Sequence, residues 1–303
     1  MPVSHLIIDG NKVPVEDVLS GKVNTRFPKA YLELAADFRK WDGKPHVTDL
    51  LNGFRLMWLK HNTMYSVDPD DAAYRVLGVQ AHAKLEEFQG QGETAELGLE
   101  TDEIQGRTDL ICTINGIESI TDYKVVGSYK IQQALGLYYD VEPVMNPDGT
   151  PYCFKSGARK GQPKTRRVLK KDPAKADIKD FARQLNIYRY LFWKMYGKVI
   201  DSLNIFAIVR DGGTKIALER GILQKTYTFP VPVVPFEKVE AFVTKRSQEL
   251  REVMAATTAP ALCSPDECWQ GKRCKDFCEV SEACKALGDN PFLGAAEEEE
   301  EDE

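Results

Sequence analysis

Apolar and polar positions change period several times along this chain, and each change marks an expected element. Val76, Leu77, Ala81, Leu85 and Phe88 recur at helical spacing within DPDDAAYRVLGVQAHAKLEEF. There Asp68 is the expected N-cap and Pro69 the first helical residue. Ile178 to Tyr196 repeats the helical period and stops at Gly197, a residue type suited to the position just past a helix. Further helices are expected near Arg26–Trp41, from a cap at Thr48, and over Glu237–Met254. Strands are expected at Ser202–Arg210 and Thr226–Val234, and a strand pair across GRTDLICTINGIESITDYK. From Lys124 to Asp177 the pattern is long and poorly periodic, which predicts a functional or mobile loop. Helices, a small meander, a helix, more strands and a helix make the class α/β (α+β) with a mixed sheet.

The strand pair raises a chemical question. Asn115-Gly116 predicts a two-residue type I′ turn, which fixes the register. Ile114 then faces Ile117, Thr113 faces Glu118, and counting back sets Asp109 opposite Asp122. Like charges directly opposite are destabilising. Lys124 lies two residues beyond Asp122 and so projects from the same face. Two readings follow: a site in which both carboxylates hold Mg²⁺ or Mn²⁺ beside substrate phosphate, or a surface salt bridge from Lys124 to both acids.

Composition narrows the setting. The 303 residues are 43% hydrophobic, enough for a full core, and no run of about 18 apolar residues would cross a membrane. No secretory signal is visible at the start, so a cytoplasmic setting with reduced thiols is expected. Glu297 to Glu303 is wholly acidic; removing those seven charges from a net −6 leaves +1. This tail is expected to be disordered filler, or else a contact for a protein partner. Eight cations and no acid occupy Lys155 to Lys171: Lys155, Arg159, Lys160, Lys164, Arg166, Arg167, Lys170 and Lys171. A solvated loop is the plain reading of that run, and DNA contact the one that a nuclease would require. Five of the seven cysteines, Cys263, Cys268, Cys274, Cys278 and Cys284, crowd one short segment, which argues for Zn²⁺ or an iron–sulfur cluster. Cys112 is expected in the core, on the strand face opposite Asp109, and Cys153 in the long loop has no evident partner.

Asp109 in GRTD, Asp122-Tyr123-Lys124, His82 in LGVQAHAKLEE and Gln184 with Tyr188 in QLNIY together resemble the PD-(D/E)XK nuclease superfamily. The nearest branch is that of RecB-like and Cas4-like exonucleases, in forms found in phage and prophage genomes. The likeness runs over most of Asp49 to Cys284. It implies a restriction-endonuclease-like core flanked by helices, spanning residues 61–255 with a basic loop insertion at 127–177. An N-terminal helical region (1–60), a cysteine-bound metal module (256–290) and the acidic tail (291–303) would surround it. The implied activity is metal-dependent cleavage of DNA. Asp109, Asp122 and Lys124 would be catalytic, His82 a third ligand with Gly78 leaving room for it, and Gln184 and Tyr188 would position substrate or lysine. Tyr188 also has a plain reading as a packed core residue. Glu96 and Glu100 lie near these motifs without an assigned role.

Relatives of that branch hold a 4Fe–4S cluster with three C-terminal cysteines and one near the N-terminus. This chain has no cysteine before Cys112, so the fourth ligand would be local. The implied set is Cys263, Cys274, Cys278 and Cys284, with Cys268 as the alternative fourth, and zinc remains open beside iron–sulfur. A different class of function is also open, a catalytically silent DNA-binding or assembly subunit that keeps the fold.

Overall fold

The computed structural model describes residues 3–88 and 90–293, so the acidic run Glu297–Glu303 lies outside the described residues. The chain divides into two compact units. The first comprises Met1–Thr121, Arg183–Leu203 and Pro232–Glu303; the second comprises Asp122–Ala182 and Asn204–Val231.

The first unit opens with strands where helices were expected. β1 (Val3–Ile8) pairs antiparallel with β2 (Asn11–Pro14) and parallel with β3 (Tyr65–Val67), a mixed three-stranded sheet. The hydrophobic core beside it takes Leu6, Ile8, Leu32, Trp58 and Leu59, and reaches Val280 and Cys284 far along the chain. The helix expected near Arg26–Trp41 shrinks to Lys29–Ala36, and the one expected from Thr48 begins at Phe54 instead, after a short 3₁₀ turn. Asp49 explains that delay: its carboxylate accepts from His46 N–H at 2.9 Å and pairs with Arg39, which holds the turn apart from the helix.

β4 (Thr94–Glu100), β5 (Gln105–Ile114) and β6 (Ile117–Val126) form an antiparallel meander. Asn115 (φ 52°) and Gly116 (φ 79°) both adopt left-handed φ, as a type I′ turn requires. The register runs from Ile114↔Ile117 to Leu110↔Thr121, following the predicted count at every pair. The helix Phe236–Ala255 packs on Phe54–Asn62. Trp58 Nε1 donates to Ala256 O at 2.9 Å, where that helix ends.

In the second unit, the stretch predicted as a loop is substantially ordered. It contains the helix Ser128–Ala134 and an antiparallel pair, β7 (Leu137–Pro143) with β8 (Thr165–Lys171). β9 (Ser202–Val209) pairs antiparallel with β10 (Thr226–Pro230). Asp211 accepts from both the backbone N and Oγ of Ser128, each at 2.6 Å, and so fixes the start of the Ser128 helix. Mixed sheets flanked by helices are therefore the architecture. Among the described residues no helix is long and apolar enough to cross a membrane.

Candidate metal centres

His82 reaches its place on the helix Pro69–Glu86. Asp68 caps that helix, its side chain accepting from Asp70 N at 2.9 Å, with Pro69 in the first turn. The apolar stripe predicted along this helix is not a core face: Val76, Ala81 and Leu85 are only half-buried, while Leu77 and Phe88 are exposed. Gly78 was expected to make room for His82, but a Cβ there would meet nothing within 4 Å. What fixes His82 is its partner instead, with Nδ1 3.4 Å from Asp109 Oδ2.

Glu96 completes this group. Its neighbours Ala95 and Leu97 pair with Leu110 and Thr108, the residues flanking Asp109, so Glu96 lies across from that aspartate. It does so with φ 49°, a left-handed conformation that costs a side-chain-bearing residue about 1–2 kcal/mol. One ligand atom from each of His82, Glu96 and Asp109 lies within 4.8 Å of the others. Burial raises the Glu96 carboxyl above its ordinary range and the Asp109 charge raises it further; Arg107, 3.4 Å away, pulls it down. An imidazole and two carboxylates at this spacing can hold a divalent cation, and the imidazole favours Mn²⁺ over a purely oxygen-loving ion. Sequence reasoning gave Glu96 no role because a strained φ leaves no trace in a pattern of hydrophobic positions. Glu100, its neighbour in that reading, is a surface partner of Lys44 at 2.5 Å.

Asp122 and Lys124 follow Thr121 along β6 and belong to the second unit. Asp122 is 1% exposed, and its Oδ2 lies 2.5 Å from Lys124 Nζ. Lys124 also sits 6.0 Å from the Phe181 ring centre. Gln184 Nε2 donates to Tyr188 Oη at 3.3 Å on one helix face, as their spacing predicts. Tyr188 is buried, and a Cβ on Gly106 would lie 2.9 Å from its Cε1. In the basic segment, Lys170 pairs with Asp140 (2.7 Å) and Glu142 (2.8 Å), and Arg166 with Glu142 at 3.9 Å. β7 thus compensates part of the charge that composition suggested was available. Lys155, Arg159, Lys160 and Lys171 are exposed, and Lys164 lies over the Tyr152 and Phe154 rings.

Back in the first unit, Cys263, Cys268, Cys274, Cys278 and Cys284 all line one small cavity, about 30 Å³. Cys112 and Cys153 do not line it. Gly53 is required there, because a Cβ would fall 2.6 Å from Cys263 Sγ. Asn290 Nδ2 donates to Cys284 Sγ at 3.3 Å. Burial pushes the Cys278 thiol up to about 11 and also raises Cys263 and Cys274. Arg55, 3% exposed, lines the same cavity. Its Nη1 donates to Pro260 O (2.9 Å) and Asp289 Oδ2 (3.0 Å), while its Nε has no partner among the described residues. Burial opposes the guanidinium charge, but Asp289 and the Cys284 sulfur outweigh it. Five thiols around a cavity with a buried cation and an unused donor fit an anionic thiolate-bound centre. Cys268, held back in the favoured ligand set, is as much part of this wall as Cys263.

No family model matches the chain, and no curated protein matches it. A solved structure titled "Crystal structure of SSO0001" is similar to it at 15% identity and a TM-score of 0.39, over 85% of this chain and 94% of that one.

Proposed function

We propose that this chain is a divalent-metal-dependent deoxyribonuclease, an exonuclease of the RecB-like and Cas4-like kind, hydrolysing phosphodiester bonds in DNA. The observation that carries this reading is the convergence of His82, Glu96 and Asp109, with Glu96 held in a strained conformation to complete it. Strain at an element that could relax by a single substitution is characteristic of functional sites. Mg²⁺ or Mn²⁺ bound there would polarise the phosphodiester and acidify a bound water. Glu96 and Asp109 supply the charge that retains the cation, and the His82 imidazole orients it. Lys124, whose ammonium pairs with the buried Asp122 carboxylate, is the cation expected to take part in catalysis. Gln184 steadies the Tyr188 hydroxyl, a donor for positioning substrate.

At the cysteine cavity the same proposal places a 4Fe–4S cluster, on Cys274, Cys278, Cys284 and either Cys263 or Cys268. A zinc ion on the same cysteines is the alternative centre. Iron and sulfide analysis of anaerobically purified protein decides between the two metals.

Cleavage is tested with end-labelled single- and double-stranded DNA, with and without Mn²⁺. Wild-type protein should cut only with the metal, and Asp109→Ala, Asp122→Ala and Lys124→Ala should each abolish cutting while the circular dichroism spectrum is kept. DNA binding without cleavage under every metal tried would overturn the nuclease reading in favour of a silent DNA-binding subunit.

A further inference from the structure

The second unit contains a cavity of about 530 Å³ that none of the residues discussed as catalytic enters. Tyr129, Tyr138, Tyr139, Arg167, Lys175 and Arg220 supply most of its wall. Its size falls within the range of small-molecule sites, roughly 300–1,000 Å³. The wall pairs each aromatic ring with a cation. Lys175 Nζ lies 3.4 Å from the Tyr138 ring centre, the Arg167 guanidinium 4.3 Å from that of Tyr139, and the Arg220 guanidinium 5.6 Å from that of Tyr129. Two of these side chains are fastened from behind. Tyr139 Oη donates to Glu219 O, and Arg220 Nη1 donates to Ser128 Oγ at 2.9 Å with Asp211 3.7 Å away. One carboxylate, Asp177, also lines the wall, with Gln132 and Gln133.

Each simpler ligand leaves part of this wall unused. A purely apolar molecule would strip water from three cations without compensation. A bare inorganic anion would engage the cations and ignore three rings. A ligand with a flat π surface and an attached anion engages both. The anion draws the cations toward itself, and the base takes over the ring surface against which they lay.

We propose that this cavity binds one nucleotide of a single DNA strand, its base stacked on Tyr138 and its phosphate held by the cations of the wall, Lys175 first among them. The inference rests on the reading of the chain as a DNA-acting protein and adds a strand preference to it. Bases in a duplex are already stacked on each other, so only an unpaired nucleotide can enter.

The test is binding to a fluorescein-labelled oligothymidylate by anisotropy, in EDTA so that no cleavage intervenes, beside an abasic strand and a blunt duplex of equal length. Wild-type protein should bind the base-bearing strand about tenfold more tightly than the abasic one. Tyr138→Leu should erase that difference, whereas Lys175→Gln should weaken both strands, and duplex binding should not change with Tyr138→Leu. Lys215→Gln, an exposed charge of the same unit that does not line the wall, should alter none of these ratios. Equal affinity of wild type for base-bearing and abasic strands, or an unchanged ratio in Tyr138→Leu, overturns the proposal. So does a wild-type protein that binds no single strand. Cleavage is scored separately. A protein that cuts DNA with an unchanged Tyr138→Leu ratio loses the pocket and keeps the nuclease reading. One that never cuts but shows the predicted ratios does the reverse.

Discussion

Glu96 shows what the proposed cation site would cost the fold. Its left-handed φ disfavours any side chain, and its carboxylate is pressed against Asp109. Glu96→Gly removes both penalties and adds about 0.5–1 kcal/mol of backbone entropy cost, so the metal-free protein should become no less stable, or more stable by up to about 1 kcal/mol. The same variant should lose most of the thermal shift that Mn²⁺ gives wild type, by differential scanning fluorimetry. A strongly destabilised Glu96→Gly that still shows the full Mn²⁺ shift would remove Glu96 from the ligand set. His61 makes a second residue-scale case. It packs against Phe38 and Trp41 with ring centres 4.8 and 6.2 Å away, and burial lowers its pKa while Asp49 opposes that shift. Arg39 and Lys60 add to the lowering. A depressed histidine pKa means the unfolded chain takes up the proton first as pH falls. Stability from this group is therefore complete above about pH 6.5 and declines below it, by at most about 1.4 kcal/mol per pH unit. His61→Gln should flatten that part of the profile in urea titrations at pH 8 and pH 5.5; an equal loss in both proteins would exclude His61 as the source. At this scale motif order singled out His82 and Asp109, which the fold brings 3.4 Å apart. Glu96, Gly53 and Arg55 were not, because each owes its role to space or backbone angle that neighbours in the sequence do not encode.

Among the elements, the β5–β6 hairpin was the most readable, because a two-residue turn with both φ positive permits one register and alternation carries it from Ile114↔Ile117 to Leu110↔Thr121. The helix Lys179–Tyr196 and the helix Phe236–Ala255 were legible for a similar reason, a strong period over many residues. The helix Pro69–Glu86 was found in the right place with the wrong face assigned, since a stripe of apolar residues predicts an amphipathic helix but not what covers it. The β7–β8 pair was missed because Lys and Arg fill β8, and cross-strand ion pairs to Asp140 and Glu142 replace the apolar alternation that marks most strands. Gly106 tests how tightly neighbouring elements are packed in the first unit. A Cβ there would stand 2.6 Å from Val47 Cγ2 and 2.9 Å from Tyr188 Cε1. Gly106→Ala should therefore cost about 1–3 kcal/mol by overpacking. The cost should fall in the double variant Gly106→Ala with Val47→Ala, measured by chemical denaturation. Additive losses in the double variant would show that the clash is relieved elsewhere.

Across the whole first unit, the cysteine segment is not an appendage. The family resemblance set residues 256–290 apart as a cysteine-bound metal module. Yet Val280 and Cys284 belong to the same hydrophobic cluster as Val3, Leu6 and Ile8, and Cys263, Cys278 and Leu293 pack against it. Arg55 ties the segment to the helix Phe54–Asn62 through Pro260 and Asp289. That union joins positions more than 270 residues apart in sequence, which no local period can announce. It also changes what metal loss should do. If the segment were held only by its own centre, Cys284→Ser would unravel residues near 263–290 and leave the N-terminal sheet untouched. With a shared core, losing the centre withdraws Val280 and Cys284 from contact with β1, and the sheet should open more often. Hydrogen exchange in Cys284→Ser should therefore speed up in Val3–Ile8 and Tyr65–Val67 as well as in the cysteine segment. Cys112→Ser, whose thiol lies outside the cavity, should leave the metal content unchanged. Faster exchange confined to residues 263–290 in the Cys284→Ser protein would show instead that the segment opens by itself and that the shared core does not couple it to the N-terminal sheet.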